Sequence, residues 1–220
     1  MSRNHWRLQG TYVYLRGMAG EFLFTLGNRI EIEAQVQGRE LMGRVEPRIG
    51  FVGRSNVGKS SLLNAVLGQK LARVSSEPGK TRSIHGYYWN EARKILVDMP
   101  GYGYARQAQE ERNRWAQFLE CYLERDENLE KILILIDSRI GPTDKDEEAI
   151  RFFSEEGFPL EFIATKVDQL KTQKDRAESK SLIRKKLQAL GFGEELIHEV
   201  SSKTGKGMTE LKNLLKGKNA

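Results

Sequence analysis

Residues 53–60, Gly53-Arg54-Ser55-Asn56-Val57-Gly58-Lys59-Ser60, decide how the rest of the chain is interpreted. They fit the pattern G-x-x-x-x-G-K-[ST], which marks a phosphate-binding loop. The segment before them, 48–52, is apolar and short, as expected for a buried strand. The segment after them, 61–67, has apolar residues at helical spacing. Strand, glycine loop and helix follow one another in the order that such a loop requires.

Each fixed position of this loop has a chemical reason. Gly53 and Gly58 permit backbone angles and a closeness of approach that a Cβ would prevent, so successive N–H groups can face phosphate oxygens. The helix that begins near Lys59 adds the positive end of its dipole. We expect Lys59 to reach the β- and γ-phosphates, Ser60 to ligate Mg²⁺, and Ser61 to complete the loop.

Composition bounds the class of protein. The chain has 220 residues, of which 39% are hydrophobic and 30% charged, enough for one α/β domain with an extension. It has no apolar run long enough to span a bilayer, and residues 1–6 lack an apolar segment of signal-peptide length. The single cysteine, Cys121, excludes an internal disulfide and is expected in the core. We therefore expect a cytoplasmic protein without a membrane contact.

The net charge of +6 is unevenly distributed. Residues 171–220 carry 12 basic and 6 acidic side chains, and residues 1–20 carry three arginines and no acid, whereas residues 129–170 carry 5 basic and 10 acidic side chains. Basic ends around such a middle suggest contact with a polyanion, although a solvated basic helix around Arg184-Lys185-Lys186 explains the C-terminal excess equally well.

Strands and helices alternate from residue 48 onward, which predicts a doubly wound, mostly parallel six-stranded α/β sheet of the phosphate-loop NTPase type, flanked by helices. We expect residues 1–20 to be a disordered N-terminal extension, 21–47 to form short lead-in strands (21–26 and 29–34), and 48–220 to be the nucleotide-binding domain. The predicted strands of that domain are 48–52, 84–90, 94–98, 131–137, 160–165 and 197–201. The predicted helices are 59–69, 108–125, 144–156, 174–190 and 207–216.

Two further segments predict contacts to Mg²⁺ and the γ-phosphate. Asp98-Met99-Pro100-Gly101 ends a predicted strand, where an Asp can serve as the acidic partner of Mg²⁺ and Gly101 can offer its N–H to a γ-phosphate. The loop Gly79-Lys80-Thr81-Arg82-Ser83 lies between this segment and the phosphate loop, and Thr81 is a candidate second hydroxyl ligand of Mg²⁺.

The choice of base depends on Thr165-Lys166-Val167-Asp168, which also ends a strand. A carboxylate there can accept hydrogen bonds from the N1–H and 2-amino groups of guanine, a donor pair that adenine lacks. Lys166 can lay its apolar stem over the base. Thr165 stands where the pattern usually has Asn and supplies a hydroxyl without the amide donor. At the end of the last strand, Val200-Ser201-Ser202 can offer backbone N–H groups to the guanine carbonyl oxygen.

These motifs together resemble the EngB (YihA) family of bacterial ribosome-biogenesis GTP-binding proteins, which belong to the translation-factor class of GTPases. The narrowest resemblance lies in Asp98-Met99-Pro100-Gly101-Tyr102-Gly103-Tyr104-Ala105, together with the phosphate loop, Pro78-Gly79-Lys80-Thr81 and Asp137-Ser138-Arg139-Ile140-Gly141-Pro142. It covers about residues 48–216. The resemblance implies a protein that acts with the large ribosomal subunit or its rRNA in subunit assembly and is needed for normal division and septation. We also expect a monomer.

Hydrolysis of GTP is expected to be slow. Many small GTPases place a water-orienting Gln directly after the D-x-x-G segment, and here that position holds Tyr102. Asn56 occupies the position at which related GTPases help to hold K⁺, and such an ion could supply positive charge to the transferring phosphoryl group. Lys59, Thr81 and Asn56 are therefore the candidate catalytic residues. Tyr102, Tyr104 and Arg106 form either a nucleotide-controlled surface for RNA or packing contacts with the neighbouring helix.

Two other readings of the sequence remain open at this point. A nucleotide-dependent RNA-binding module that hardly hydrolyses GTP would also carry these motifs. The presence of Tyr102 in place of the water-orienting Gln is consistent with that interpretation. An ATP-dependent phosphoryl-transfer enzyme would share the phosphate loop, but Asp168 argues against it. The acidic group Asp144, Asp146, Glu147 and Glu148 is expected to cap a helix, where the dipole favours anions.

Overall fold

The computed structural model describes residues 20–37, 40–41, 43–72, 83–102 and 109–217. The strands, numbered along the chain, are β1 (Gly20–Leu26), β2 (Val36–Gln37), β3 (Glu40–Leu41), β4 (Arg48–Gly53), β5 (Ile84–Trp89), β6 (Lys94–Asp98), β7 (Leu129–Asp137), β8 (Leu160–Thr165) and β9 (Ile197–Glu199). The helices are α1 (Arg29–Gln35), α2 (Lys59–Leu67), α3 (Gln109–Leu123), α4 (Asp144–Glu155), α5 (Gln173–Ala189) and α6 (Met208–Lys216).

The main sheet has the strand order β1-β5-β6-β4-β7-β8-β9, and β2 and β3 form a separate pair. Strands β6, β4, β7, β8 and β9 are parallel, whereas at one edge β5 runs antiparallel to β6 and β1 runs antiparallel to β5. The prediction of a doubly wound, mostly parallel sheet is confirmed, but the predicted number of six strands is wrong, because the main sheet has seven strands among the described residues. The additional strand is β1, which the sequence had suggested as a separate lead-in and which pairs with β5.

The sheet is covered on both faces, because successive side chains of a strand point in opposite directions. In β7, Ile132, Ile134 and Ile136 pack into the core beneath α1, α3, α4 and α5. Leu133 and Leu135 of the same strand pack into the second core, beneath α2 and α6. A strand that is apolar on both faces therefore lies at the centre of the sheet, as the sequence predicted. Cys121 lies buried in α3, also as predicted.

The second lead-in strand predicted at 29–34 is wrong, because Arg29–Gln35 forms a helix. The side chain of Asn28 caps it by accepting the N–H of Glu31 at 3.0 Å, and the Glu31 carboxylate accepts the N–H of Gly27 at 2.6 Å. Local capping thus overrides the alternating pattern. A strand would place Ile30 and Ile32 on one face, whereas the helix leaves Ile30 78% exposed and Ile32 fully buried.

The strand register aligns the functional segments at one edge of the sheet. Phe51 of β4 lies beside Asp98 of β6, and Asp137 of β7 lies beside Thr165 of β8. Since the carboxyl ends of parallel strands meet at the same edge, the phosphate loop, the D-x-x-G segment and the segment after β8 converge there. None of the helices in the described residues is apolar over a length that would cross a membrane.

Candidate nucleotide-binding site

The phosphate loop connects β4 to α2 and has the backbone expected of an anion cradle. Asn56 and Gly58 both have positive φ, at 63° and 103°. Gly53 is required for a different reason: a Cβ there would lie 2.9 Å from Val57 and 3.0 Å from Leu135. Among the described residues, no side chain caps the N-terminus of α2. The first N–H groups of that helix therefore remain suited to an anion.

Lys59 links the phosphate loop to the D-x-x-G segment. Its Nζ forms an ion pair with the Asp98 carboxylate and donates to the carbonyl oxygen of Met99 at 2.7 Å. Asp98 is buried, with 4% of its surface exposed, so the lysine neutralises a carboxylate that would otherwise be costly. Phosphate oxygens arriving at the loop would compete with Asp98 for this ammonium group.

The residues present fit a magnesium ion held jointly with a nucleotide. Within the described ranges no group of three or more His, Cys, Asp or Glu side chains is positioned to hold a metal by itself. Mg²⁺ in nucleotide sites takes few protein ligands and completes its shell with phosphates and water. Ser60, at the start of α2, supplies one hydroxyl, and Asp98, at the end of β6 and paired with Lys59, supplies one carboxylate.

A cavity of about 180 Å³ joins the phosphate loop to the two motifs suggested for base recognition. Its lining includes residues that the sequence places far apart: Val57, Gly58, Ser61 and Leu62, then Thr165, Lys166, Asp168 and Gln169, then Val200, Ser202 and Lys203. Asp168 lies in a single 3-10 turn, Val167–Gln169, and accepts a hydrogen bond from the buried Ser201 hydroxyl at 2.6 Å. Three separate segments thus surround one pocket.

Thr165 ties the base motif to the phosphate loop. Its hydroxyl donates to the carbonyl oxygen of Val57 at 2.7 Å and lies 3.1 Å from that of Ile136. The side chain is 4% exposed, so both contacts are sheltered from water. The hydroxyl of a threonine is sufficient for this bridge, which is why the missing amide of an asparagine leaves no unpaired group here.

Lys166 is held across the loop by a carboxylate that the sequence reasoning had not assigned to the site. Its Nζ donates to the Asn56 carbonyl oxygen and, at 2.8 Å, to Asp137. Asp137 also accepts from both Nε and the terminal nitrogen of Arg139, at 2.9 and 2.6 Å. Burial opposes ionisation of Asp137, but the hydrogen bonds from Arg139 and Lys166 outweigh it and lower its pKa to about 2.

Tyr102, directly after Gly101, is packed inside the protein rather than displayed on a surface. Its ring meets Trp115 of α3 edge to face, with 6.2 Å between the ring centroids, and its hydroxyl donates to Asp146 at 2.9 Å. Burial and the Asp146 carboxylate raise its pKa well above the usual range. Of the two alternatives for Tyr102, packing against the neighbouring helix is therefore correct. Trp115 in turn donates to the Pro100 carbonyl oxygen at 3.1 Å.

Asp146 does more than the capping role expected of it. It accepts the backbone N–H of Thr143 at 2.7 Å, which is the predicted capping contact, and it also binds Arg54 of the phosphate loop at 3.0 Å. The contacts that Asp137 and Asp146 make with the site cannot be predicted from spacing along the sequence, because these contacts depend on which strands become neighbours in the sheet.

Several predicted site residues lie outside the described residues, namely Gly79, Lys80, Thr81 and Arg82, as do Tyr104 and Arg106. Ser83 lies immediately before β5 and is partly buried. Met99, Pro100 and Gly101 are buried beside Lys59 and Trp115.

Comparison with known proteins agrees with this geometry. The family model described as "50S ribosome-binding GTPase" matches residues 48–166. A protein named "Probable GTP-binding protein EngB" from Thermotoga petrophila is 41% identical over 76% of this chain and 84% of its own length, and the protein of that name from Aquifex aeolicus is 40% identical over 75% and 87%. The chain belongs to the EngB family of GTPases. It binds GTP and hydrolyses it, as members of that family do.

Solved structures agree with the fold of the EngB family. A crystal structure of a probable GTP-binding protein EngB matches 76% of this chain and 96% of its own, with a TM-score of 0.61 and 26% identity. Era from Aquifex aeolicus bound to GDP·AlF4⁻ gives a TM-score of 0.62 at 28% identity over 77% of this chain. This chain spans 55% of the length of that Era chain.

Proposed function

We propose that this GTPase is a Mg²⁺-dependent nucleotide switch that acts in the assembly of the large ribosomal subunit. The observation that carries the nucleotide part is the cavity lined by the phosphate loop, Lys166 and Asp168. A guanine base at Asp168 would place its phosphates towards Gly58 and the start of α2, where N–H groups and Lys59 are available. Adenine lacks the N1–H and 2-amino donors that the Asp168 carboxylate would accept from guanine.

The residues of the chain would act mainly by positioning and by electrostatics. Lys59 would leave Asp98 for the β- and γ-phosphates, and the loop amides would hold the phosphate chain. Asp98, Ser60 and Thr81 would hold Mg²⁺, which when bound supplies positive charge to the phosphoryl oxygens. Gly101 would offer its N–H to the γ-phosphate. No side-chain nucleophile is needed, because water attacks.

Slow intrinsic hydrolysis fits the position of Tyr102. Its hydroxyl is engaged by Asp146 in the protein interior, so the residue after Gly101 has no group directed at an attacking water. Asn56 would help to hold K⁺ beside the phosphates in its place. This part of the proposal predicts faster turnover in KCl than in NaCl, and equal rates in both salts, with and without ribosomal subunits, would contradict it.

The switch itself would involve residues 75–83 and 101–110. We propose that the γ-phosphate and Mg²⁺ order these segments and that hydrolysis releases them. Most of both segments lies outside the described residues, since residues 75–82 and 103–108 are not described.

The ribosomal part of the proposal draws on the relatives. The matching family is described as ribosome-binding, and Era has been solved with MgGDPNP and nucleotides 1506–1542 of 16S ribosomal RNA. The excess of basic residues at both ends of this chain suits contact with RNA. On α5, Arg184 pairs with Glu194 and Lys186 pairs with Glu147. These acidic partners partly neutralise the helix, which makes the C-terminal end the weaker of the two candidates for contact with RNA. We further propose that the protein is a cytoplasmic monomer and that it is needed for division and septation.

Calorimetric titration tests the nucleotide part directly. GDP, a non-hydrolysable GTP analogue and ATP would be titrated into the wild-type protein with and without Mg²⁺. We expect binding of both guanine nucleotides, none of ATP, and loss of analogue affinity without Mg²⁺. Binding of ATP at similar affinity would contradict the guanine assignment. Co-sedimentation with purified large subunits, loaded with GDP or the analogue, tests the ribosomal part, and equal or absent binding in both states would overturn the switch.

A further inference from the structure

Asp146 is more heavily coordinated than capping a helix requires. Its side chain is fully buried and accepts four donors: the Thr143 N–H and hydroxyl, each at 2.7 Å, the Tyr102 hydroxyl at 2.9 Å, and Arg54 Nε at 3.3 Å. The reciprocal cap of α4 needs only the contact with the Thr143 N–H. The other two residues come from elsewhere in the fold, and a buried carboxylate with several donors holds each of them strongly.

Those two residues are the immediate neighbours of the segments that face the phosphates. Arg54 follows Gly53 at the start of the phosphate loop, and Tyr102 follows Gly101 at the end of the D-x-x-G segment. The two residues also form an isolated parallel β-bridge with each other. The Asp146 carboxylate therefore bonds both sides of a backbone contact that sets the distance between the two segments.

The other contact between these segments is of a different kind. Lys59 pairs with Asp98 and the Met99 carbonyl oxygen, and under the proposed function it turns to the nucleotide when phosphate binds. The contacts of Asp146 involve no atom that the nucleotide would claim. They persist when Lys59 changes partner, together with the hydrogen bond from Trp115 to the Pro100 carbonyl oxygen.

We propose that Asp146 and Tyr102 are positioning residues for GTP binding and hydrolysis. They hold Gly101 at a fixed distance from the phosphate loop, so its N–H is already in place for the γ-phosphate after Lys59 has left Asp98. The inference rests on the proposed function, in which Gly101 meets the γ-phosphate. It predicts an effect on GTP that GDP does not share, because GDP has no group at that position.

The alternative is that this network contributes only to stability. A matched pair of substitutions separates the two, because the protein contains a second buried tyrosine bonded to a buried aspartate. Tyr122 donates to Asp126 at 2.5 Å, and its pKa is likewise raised by burial and by that carboxylate. This second pair lies beside Arg48 at the start of β4, at the opposite end of that strand from the phosphate loop.

The experiment compares Tyr102→Phe with Tyr122→Phe in nucleotide binding and single-turnover hydrolysis. We expect Tyr102→Phe to weaken the non-hydrolysable GTP analogue about tenfold and to slow hydrolysis at saturating GTP, the scale set by one lost hydrogen bond to a carboxylate. GDP affinity should stay within about twofold of wild type. Tyr122→Phe should leave the ratio of analogue to GDP affinity unchanged, although it lowers the urea midpoint.

Asp146→Asn supplies the second test, because it keeps the shape of the side chain and replaces one accepting oxygen by a donor. If it folds, it should change the same ratio in the same direction as Tyr102→Phe. An equal loss of affinity for both nucleotides in Tyr102→Phe, no loss for either, or tighter analogue binding would overturn the inference. Failure of the proposed function would be seen in the wild-type protein instead. The wild type would then bind ATP as well as the guanine nucleotides, or would bind the GTP analogue equally well when Mg²⁺ is left out.

Discussion

The Thr165 hydroxyl donates a 2.7 Å hydrogen bond to the Val57 carbonyl oxygen, so the segment proposed to read the base is bonded directly to the phosphate loop. The two segments come from strands β8 and β4, which β7 separates in the sheet. A base and a phosphate chain bound here would therefore be positioned by two segments that this hydrogen bond holds together. The bridge should affect every nucleotide that binds, whatever the number of its phosphates.

Thr165→Val removes the bridge while keeping the shape of the side chain. It leaves the buried Val57 carbonyl oxygen without its donor, which should cost about 1–3 kcal/mol of folding stability. We expect GDP and GTP-analogue affinities to fall by similar factors, because the loop is shared. Urea unfolding and calorimetry measure the two effects. Thr165→Asn is the control: its amide can donate to the same oxygen, so both quantities should stay nearer to wild type, and equal losses in the two variants would contradict the bridge.

Asp137→Asn should loosen Lys166. The neutral side chain can no longer form a charged pair with the ammonium group, so Lys166 loses one of its two anchors. We expect weaker binding of all guanine nucleotides, by roughly threefold to tenfold, the range expected for one charged hydrogen bond in a partly solvated site. Glu161→Gln is the matched control. Glu161 is also an ionised carboxylate: burial raises its pKa, but hydrogen bonds from His198 and Lys131 outweigh burial and lower it. It lies at the start of β8, whereas Asp137 lies at the end of β7, so the two carboxylates are at opposite ends of the sheet.

The same Asp137→Asn variant predicts a pH dependence of stability. The pKa of Asp137 is about 2 in the folded protein, below its ordinary value of 3.8, so the ionised form stabilises the fold. That contribution is fully present above about pH 4 and disappears as the pH falls towards 2. After allowance for solvent screening it amounts to about 1 kcal/mol. The difference in unfolding free energy between wild type and variant should shrink over this window, and a difference that is constant down to pH 2 would contradict the assignment.

Local patterns predicted most of the fold. The helices from α2 to α6 and the strands of the parallel sheet lie within a few residues of the predicted bounds, because each has a clear period and a cap, a glycine or a polar turn at its ends. The phosphate loop and the two base motifs could be named from sequence because their chemistry depends on residues close together in the chain. Asp137 and Asp146 could not, since their contacts with Lys166, Arg54 and Tyr102 arise only when β4, β6, β7 and β8 are assembled side by side.

Helix α1 is where a local pattern misled. Alternation of Ile30 and Ile32 with charged residues is typical of a strand, but Asn28 and Glu31 cap a helix over the same residues. Because the helix exposes Ile30 and buries Ile32, substitutions at these two positions should differ in their effect on stability. Ile32→Ala should cost about 2–5 kcal/mol of stability, because the side chain is fully buried, whereas Ile30→Ala should change it by less than about 0.5 kcal/mol. A strand would make the two costs similar, and urea unfolding of both variants distinguishes the outcomes.

The buried ion pair Arg48–Asp126 should matter for stability and not for nucleotide selectivity. Both side chains are fully buried, and Asp126 also accepts from Tyr122 and from the backbone N–H of Asn128. Asp126→Asn removes the negative charge that Asp126 places beside the buried guanidinium, which should cost about 3–5 kcal/mol. We expect the folded variant to keep the wild-type ratio of GDP to GTP-analogue affinity. A changed ratio would mean that this end of the sheet communicates with the site.

Asp168→Asn should change which base is accepted rather than abolish binding of every base. The carboxylate can accept both the N1–H and the 2-amino group of guanine, and an asparagine replaces one of those acceptors by a donor. Loss of a charged two-point contact should weaken GDP roughly a hundredfold or more. Xanthine carries an oxygen where guanine carries the 2-amino group, so the asparagine can donate to it, and the variant should prefer xanthosine diphosphate. The Ser201 hydroxyl, 2.6 Å from Asp168, should hold the new side chain in place, so adding Ser201→Ala should reduce that preference. Competition between the two diphosphates measures it, and a variant that still prefers GDP would show that Asp168 does not contact the base.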